Sequence, residues 1–215
     1  MNKKKKVAII DYQLGNLFSV RQACIYLNTD ATITTDRNEL LEADYAILPG
    51  VGAFGDAMRN MERLDLIEPI KDFIASGKPF MGVCLGLQLM FTESEEFGRS
   101  KGMNLIEGSV NKFASTEVSG QVLKVPQIAW NRVKEPATGA WKQSPLETCS
   151  DGDYMYFVHS YYVQPQAAEH VLSLTEYGGY TYCSAVIKNN IFACQFHPEK
   201  SGLRGIEIYK NWLGK

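Results

Sequence analysis

This 215-residue sequence has no long apolar run, no paired-cysteine motif and no marked excess of charge of either sign. The roughly eighteen consecutive apolar residues that predict a transmembrane helix occur nowhere in it. The start is basic, but only residues 7–10 are apolar before Asp11, which is too short for the core of a signal peptide. These absences predict a soluble, cytoplasmic protein that does not associate with a membrane.

The cysteines and the charge balance argue against two further classes of protein. Cys24, Cys84, Cys149, Cys183 and Cys194 are odd in number and include no C-x-x-C pair, which argues against a disulfide framework or a zinc site. A net charge of −2, from 22 Lys and Arg against 24 Asp and Glu, argues against nucleic acid as the main ligand.

The first half of the chain alternates short apolar runs with helical patterns. We predict buried strands over 7–10, 46–48 (ended by Pro49 and Gly50) and 79–83, and helices over 17–27 (capped by Asn16), 58–74 (one or two helices, with Pro69 as a start) and 85–93. Continuous apolar strands separated by helices indicate a parallel sheet covered on both faces.

The second half is richer in strands joined by polar turns. Strands are predicted over 122–125, 154–163, 171–175, 181–187 and 191–196, followed by a helix over 203–213. The sequence therefore predicts one α/β domain over 1–215, with a mostly parallel central sheet flanked by helices and an additional antiparallel β portion in its second half.

Cys84 lies between two glycines in GVCLG, where a predicted strand passes directly into a predicted helix. A residue on such a turn tends to be strained and to project at the carboxyl end of the sheet. Backbone N–H groups at the helix start can stabilise a developing negative charge. The pattern alone is consistent with either a nucleophile or a buried core cysteine.

A thiol nucleophile needs a base, and three histidines are available: His159, His170 and His197. His170 lies in a polar stretch and is typical of a surface residue. His197 ends an apolar run and is followed by Pro198 and Glu199, and a carboxylate there can fix the imidazole tautomer. The same segment is also consistent with a strand-end histidine beside a solvated Glu-Lys pair.

Three motifs together resemble the class I, or triad, glutamine amidotransferases. GVCLGLQLMF is similar to the family's nucleophile turn, QFHPEKSG to its histidine–glutamate segment and LPGVGAFGDAM to its oxyanion strand. The similarity extends over the whole chain. Within the family, IIDYQLGNLFSV, PGVGAFGDAM and YFVHSYYV most resemble the glutaminase subunits of imidazole glycerol phosphate synthases.

The resemblance implies roles for particular residues. Cys84 would be the nucleophile, His197 the general acid and base, and Glu199 the residue that orients the histidine. The oxyanion hole would involve Val51, Gly52 and Leu85, the substrate would meet Gly50, Gln88, Glu96, His159, Ser160 and Tyr161, and the partner interface would include Gln127, Trp130 and Asn131. Without the resemblance, Gln88 could be a solvated helix residue, Glu96 one more acid in the ESEE run, and 159–161 an amphipathic strand.

The implied chemistry is hydrolysis of L-glutamine through a cysteine thioester, with no cofactor and no metal. Ammonia protonates in bulk water, so the resemblance implies a shielded route into a docked partner. That partner would be a (β/α)8-barrel cyclase of histidine biosynthesis, in a heterodimer.

One segment departs from the histidine-biosynthesis pattern Pro-His-Met-Gly-Trp-Asn. Here 126–131 reads PQIAWN, so Gln127 and Ala129 replace a histidine and a glycine. This departure keeps open a paralogue that supplies ammonia to a sugar-amidating synthase of surface polysaccharide pathways.

Two rival classes of protein share parts of this pattern. A non-catalytic binding subunit could keep the fold without the activity, but the intact Cys84, His197 and Glu199 argue against it. A cysteine peptidase or related hydrolase could share the nucleophile turn, but Gln88 and the PGVG segment favour the amidotransferase.

Overall fold

Strands and helices alternate through the first half of the chain, as its apolar pattern predicts. In this computed structural model, which describes residues 4–114, 117–118 and 121–214, the elements are β1 (Lys6–Ile10), α1 (Leu17–Tyr26), β2 (Asp30–Thr34), α2 (Arg37–Glu42), β3 (Tyr45–Gly50), α3 (Phe54–Arg63), α4 (Ile67–Ala75), β4 (Phe80–Cys84) and α5 (Leu85–Leu89). Pro69 lies in the first turn of α4 rather than at its start, where its missing N–H is equally harmless.

The second half is mostly strands. They are β5 (Phe91–Ser94), β6 (Ser100–Lys101), β7 (Ile106–Lys112), β8 (Glu117–Val118), β9 (Gln121–Val122), β10 (Gln127–Arg132), β11 (Tyr154–His159), β12 (Tyr161–Pro165), β13 (Val171–Tyr177), β14 (Tyr180–Lys188) and β15 (Ile191–Cys194), with α6 (Gly202–Trp212) at the end. Single 3₁₀ turns occupy Ala168–His170 and Pro198–Lys200. None of the helices in the described ranges is long and apolar enough to cross a membrane.

Eleven strands form one sheet, ordered β2-β1-β3-β4-β15-β14-β12-β7-β5-β6, with β13 paired to β14. The first five strands in this order, β2, β1, β3, β4 and β15, are mutually parallel, whereas the pairs β15–β14, β14–β12 and β12–β7 are antiparallel. Two smaller antiparallel pairs, β10–β11 and β8–β9, stand apart. The predicted class, a mostly parallel central sheet with an added antiparallel portion, is confirmed.

The parallel strands are buried because helices cover both of their faces. Successive residues of β1 enter opposite core layers, with Ala8 and Ile10 in one and Val7 and Ile9 in the other. Helices α3 and α4 contribute to the first layer through residues such as Phe54 and Phe73. Helices α1 and α6 contribute to the second, which also contains Cys84.

Tertiary contacts override several boundaries predicted from the sequence. The helix predicted over 85–93 ends at Leu89, because the Met90 carbonyl accepts the N–H groups of Leu105 and Ile106 and the next residues form β5 beside β7. The strand predicted over 154–163 is interrupted at Ser160, and its halves join different sheets.

Two further strand boundaries differ. Strand β3 continues through Pro49 and Gly50, which pair with Val83 and Cys84 of β4. Of the strand predicted over 122–125, only Val122 belongs to a strand, and the chain then turns through a cis peptide bond at Val125–Pro126. Strands β2, β6, β7, β8 and β10 and helix α2 were not predicted.

Candidate active site

Cys84 occupies a strained turn between β4 and α5. Its φ of 54° and ψ of −109° lie in a region that non-glycine residues rarely adopt, and its side chain is nearly buried. A Cβ atom at Gly86 would lie 1.8 Å from the Leu48 carbonyl oxygen. The glycine is therefore required where the start of α5 passes over β3, directly after the turn that carries the thiol.

The parallel strand order brings separate motifs to one edge of the sheet. Gly50 at the end of β3 lies opposite Cys84, and Cys194 at the end of β15 lies opposite Val83. Ligand sites in parallel sheets form beyond the carboxyl ends of the strands. The three residues after Cys194 lead to His197, so the histidine reaches the same edge as the thiol.

His197 and Glu199 form a buried pair. The His197 Nδ1 and the Glu199 Oε1 are 2.8 Å apart, and the two side chains are only 2% and 0% exposed. The Pro198–Lys200 turn holds the carboxylate beside the ring. A carboxylate at Nδ1 requires a proton on that nitrogen, so Nε2 is the atom available toward the thiol.

The charge state of His197 depends on Cys84. Burial lowers the pKa of His197, but the negative charge of Cys84 and the bonds to Cys84 and Glu199 outweigh it and raise the pKa to about 10. Nε2 makes no hydrogen bond of regular geometry. We therefore attribute the effect of Cys84 to the nearness of its sulfur to the imidazole rather than to an aligned hydrogen bond. The raised pKa means that the imidazolium is the favoured state of His197 at neutral pH.

A cavity of about 240 Å³ opens beside the thiol. Cys84, Pro126 and Val158 line it, together with most of the residues implied for oxyanion and substrate binding: Val51, Gly52, Leu85, Gln88, Glu96, His159, Ser160 and Tyr161. Gly50 is not part of the lining but lies buried on the neighbouring strand. The cavity thus brings together segments that are far apart in the sequence.

Gln88 reaches the cavity from α5 and is not a solvated helix residue. It is buried, and its Nε2 donates to the Tyr161 carbonyl at 3.0 Å and to the Gln195 Oε1 at 3.1 Å. Because both N–H groups are used within the protein, Oε1 is the atom of Gln88 left for a ligand in the cavity.

His159 is neutral at physiological pH. Its Nδ1 donates to the Tyr161 carbonyl at 2.8 Å, and its Nε2 lies 3.2 Å from the Tyr182 hydroxyl. Burial lowers the pKa of His159, the Tyr161 hydrogen bond opposes this, and the nearby charge of His197 adds to the lowering, so the pKa is about 4. Ser160, between the two sheets, accepts the Phe113 N–H through its carbonyl at 3.1 Å.

Glu96 is half-buried at the rim of the cavity. Burial raises its pKa, while a 2.6 Å hydrogen bond from the Phe54 N–H at the start of α3 lowers it, and Asp56 raises it again. One carboxylate oxygen is therefore held by the protein, which distinguishes Glu96 from the solvated acids beside it.

The residues implied for the partner interface divide between two faces of β10. Trp130 is 52% exposed, and Ile128 and Tyr154 lie on the same side. Gln127, which was predicted to lie at the partner interface, is instead fully buried, and the Tyr182 hydroxyl donates to its Oε1 at 3.0 Å. Asn131 is on the same face of β10 as Gln127 but is only partly buried, and its Nδ2 donates to the Glu176 carbonyl at 2.8 Å. Strand alternation makes this division unavoidable, since residues two apart share a face.

Three polar residues near the thiol and its histidine were not predicted for the site. The Gln195 Nε2 donates to the Cys84 sulfur at 3.6 Å. Asn16 is the N-cap residue of α1 as predicted, but its side chain makes no capping bond and its Nδ2 donates to the Glu199 Oε1 at 3.3 Å. The Tyr12 hydroxyl is buried without a partner, and burial raises its pKa, with smaller effects from Cys84 and Asp11. The only signal for Gln195 was an amide inside an otherwise apolar strand.

No group of three or more His, Cys, Asp or Glu side chains that could hold a metal ion occurs within residues 4–114, 117–118 and 121–214.

The class of protein follows from a family comparison. Residues 8–214 match the family described as glutamine amidotransferase class-I, so the chain belongs to that family, as its motifs predict.

Relatives that align over nearly the whole chain are subunits of imidazole glycerol phosphate synthase. The chain is 44% identical to imidazole glycerol phosphate synthase subunit HisH of Syntrophotalea carbinolica over 208 residues, covering 96% of this chain and 98% of the relative. It is 41% identical to subunit HisH 1 of Legionella pneumophila strain Paris, with the same coverage.

Solved structures share the fold at low identity. The structure of PurLQS from Thermotoga maritima aligns with a TM-score of 0.74 at 17% identity, covering 98% of each chain. A glutamine amidotransferase from the same organism aligns with a TM-score of 0.60 at 19% identity, covering 99% of this chain and 85% of that one.

Proposed function

We propose that this protein is the glutaminase subunit of an imidazole glycerol phosphate synthase, which hydrolyses L-glutamine to glutamate and passes the ammonia to a cyclase subunit. The observation that carries the proposal is the strained Cys84 at the edge of a cavity, beside a buried His197–Glu199 pair. Family membership and full-length relatives named HisH support the same activity.

The first half-reaction forms a thioester. The Cys84 thiolate attacks the side-chain amide carbon of glutamine, and the carbonyl electron pair moves onto oxygen. His197, whose raised pKa keeps it protonated beside the thiolate, donates the Nε2 proton to the amide nitrogen. The C–N bond breaks, ammonia leaves, and the carbonyl reforms as a thioester.

The second half-reaction regenerates the thiolate. His197 is now neutral, and its Nε2 takes a proton from water as the oxygen attacks the thioester carbon. Collapse of that intermediate breaks the C–S bond and releases glutamate. Glu199 at 2.8 Å supports the positive charge that the imidazole carries at both ends of this cycle.

The oxyanion would be stabilised by backbone N–H groups at the cavity edge. Leu85 opens α5, where the first N–H groups lack partners within the helix. Val51 and Gly52, directly after β3, also border the cavity. Gly52 has a φ of 105°, so the adjoining peptide units can reorient at low steric cost. A partner that stabilises the orientation in which a backbone N–H points at the oxyanion would therefore increase the rate.

Polar groups around the cavity suit the other end of glutamine. The Gln88 Oε1 can accept a hydrogen bond from the substrate, and the Glu96 carboxylate, held on one oxygen by Phe54, can meet its ammonium group. The 159–161 segment supplies main-chain groups next to the cavity for the carboxylate end. Gly50 would contribute from the neighbouring strand, behind the residues that line the cavity.

The partner would dock on the exposed aromatic face of β10 and β11. Trp130 packs edge-on against Tyr156 at 6.1 Å between ring centroids, and Tyr156 in turn lies 6.4 Å from the His197 ring. The Tyr156 carbonyl also accepts the His197 N–H at 2.9 Å. A partner seated on Trp130 is thus one side chain away from the proposed acid and base.

The acceptor is proposed to be a (β/α)8-barrel cyclase rather than a sugar-amidating synthase. The 41–44% identical relatives named above are imidazole glycerol phosphate synthase subunits. The departure at Gln127 carries less weight than its position in the sequence suggested, because a fully buried side chain makes no direct contact with a partner.

The test compares Cys84→Ala with Cys149→Ala in a glutaminase assay, with and without the cyclase of an imidazole glycerol phosphate synthase. The Cys84 variant should be inactive and folded, and the wild-type chain should turn over slowly alone and be stimulated strongly by the cyclase. Losing one oxyanion donor typically costs about 10²–10³ in rate, which sets the scale of that stimulation.

Cys149 is the matched control because it is half-buried away from the cavity, and burial and Asp153 raise its pKa to about 12 despite the opposing charge of Arg204. Its alanine variant should keep the wild-type rate. Full glutaminase activity of Cys84→Ala in the presence of the cyclase would overturn the proposal.

A further inference from the structure

A chain of buried hydrogen bonds connects the main chain of Tyr161 to the sulfur of Cys84. Gln88 Nε2 donates to the Tyr161 carbonyl at 3.0 Å and to the Gln195 Oε1 at 3.1 Å. Gln195 Nε2 then donates to the Cys84 sulfur at 3.6 Å, within the range of bonds to sulfur. Gln195 is fully buried and does not line the cavity.

The direction of this chain is set by the main-chain carbonyl at its end. A carbonyl oxygen only accepts, so Gln88 must present its Nε2 to Tyr161. The same nitrogen also faces Gln195, so Gln195 must present its amide oxygen to Gln88. The amide nitrogen of Gln195 then faces the sulfur. The hydrogen-bond network therefore assigns the oxygen and nitrogen positions of both amides, and the atom next to Cys84 is an N–H donor.

Packing in the core does not by itself account for the buried amide of Gln195. A buried amide is costly unless its polar atoms are bonded, and here both of them bond to residues of the site. Ser184 on β14 provides a contrast, because it is equally buried and its hydroxyl has no partner. The Ser184 carbonyl accepts the Gln195 N–H at 2.8 Å, so the two residues share one local environment.

Another neighbour of the sulfur, a main-chain carbonyl, has the opposite character. The Val158 carbonyl lies 3.9 Å from the Cys84 sulfur and can accept the thiol proton. Once the sulfur is ionised, that carbonyl gives no stabilisation, whereas an N–H donor does. Among these two neighbours only Gln195 favours the state that attacks the substrate.

We propose that Gln195 is a positioning residue for the reaction, whose amide N–H orients and stabilises the Cys84 thiolate while Gln88 holds that amide in place. The inference rests on the proposed role of Cys84 as the nucleophile. Because Gln88 also borders the cavity through Oε1, a ligand bound there would tighten the same chain. Gln195 acts through the sulfur and does not touch glutamine.

The experiment uses Gln195→Met and Gln195→Glu in the full chain. L-Glutamine turnover is measured beside the cyclase, and alkylation of Cys84 by iodoacetamide is measured on the chain by mass spectrometry. Methionine keeps the length and volume but removes the donor. Glutamate can still accept from Gln88 but presents an oxygen to the sulfur. A hydrogen bond to a charged group corresponds to about 10- to 100-fold in rate.

We expect kcat to fall about 10- to 100-fold in both variants while KM changes by less than about threefold, and the alkylation rate to fall by a similar factor to kcat. Ser184→Ala, the matched control, should leave all three quantities unchanged. A merely structural role would leave alkylation and kcat of a folded variant near wild type.

Two results would overturn the inference. One is a folded Gln195→Met variant with wild-type kcat and alkylation rate. The other is a lower kcat with unchanged alkylation, because the defect would then lie away from the sulfur. If Gln195→Glu does not fold, Gln195→Met alone decides. An active Cys84→Ala chain would instead remove the proposed function, so the two failures are distinguishable.

Discussion

Acidification should destabilise this protein through His159, a histidine buried in neutral surroundings. Its ring nitrogens face the Tyr161 carbonyl and the Tyr182 hydroxyl, and its ring packs against Phe113 and Phe157. None of these four groups carries a negative charge at neutral pH that could compensate an imidazolium. His197 is the charged neighbour that affects the pKa, and its effect also opposes protonation.

The magnitude follows from the pKa difference. The pKa of His159 falls from an ordinary 6.5 to about 4 in the folded protein. Between these values the unfolded chain binds more protons than the folded one, so the free energy of unfolding rises with pH across this window. The stabilisation is fully present above pH 6.5 and is lost as pH falls toward 4. At about 1.4 kcal/mol per unit, the loss reaches about 3 kcal/mol.

The measurement is the free energy of unfolding by urea at several pH values between about 7.5 and 4.5. Wild type is compared with His159→Gln, which cannot be protonated, and with His170→Gln as a matched control outside the cavity. The wild-type and His170→Gln curves should fall together, and the His159→Gln curve should fall by about 3 kcal/mol less. Parallel curves for wild type and His159→Gln would refute the argument that burial of a neutral imidazole sets this acid sensitivity.

Two further predictions concern the docking face and the nucleophile turn. Trp130→Ala should weaken cyclase binding by about 2 kcal/mol, roughly 30-fold in Kd by calorimetry, because large exposed aromatics dominate interfaces. Cys84 alkylation should not change, and Tyr26→Ala, at an aromatic residue 73% exposed on α1, should bind normally; equal affinity of the two variants would contradict the docking face. Gly86→Ala should lower the free energy of unfolding by about 1–3 kcal/mol or more, since its Cβ would lie 1.8 Å from the Leu48 carbonyl oxygen. The control Gly55→Ala, in α3, should be neutral or stabilising, and a Gly86→Ala chain as stable as wild type would mean that β3 and α5 can separate at no cost.

The local pattern of the first half was sufficient to predict its architecture. Buried strands without polar alternation need cover on both faces, and the intervening helices can provide it only in a parallel arrangement. The carboxyl ends of the strands then share an edge. Cys84 and Gly50, each at the end of a predicted strand, could be placed near each other on that ground alone.

Element boundaries failed where distant segments compete for the backbone. The apolar run after Cys84 is consistent with a long helix, but β5 forms instead because β7, from a later part of the chain, offers paired hydrogen bonds. Ser160 likewise interrupts an apparently continuous strand because its two halves find different partners. Nothing within either segment specifies those partners.

The sequence by itself determined the chemistry of this protein: a thiol between two glycines, a histidine–proline–glutamate segment and their order along a parallel α/β chain. Tertiary structure alone decided which polar groups surround that thiol. Strand alternation placed Gln127 and Trp130 on different faces of β10, but packing decided which face is inside. Gln195 became a donor to the sulfur only because β15 lies beside β4 and Gln88 comes between it and a carbonyl of β12. Hydrogen-bond partners so distant in sequence are set by the path of the whole chain, since no local propensity encodes them.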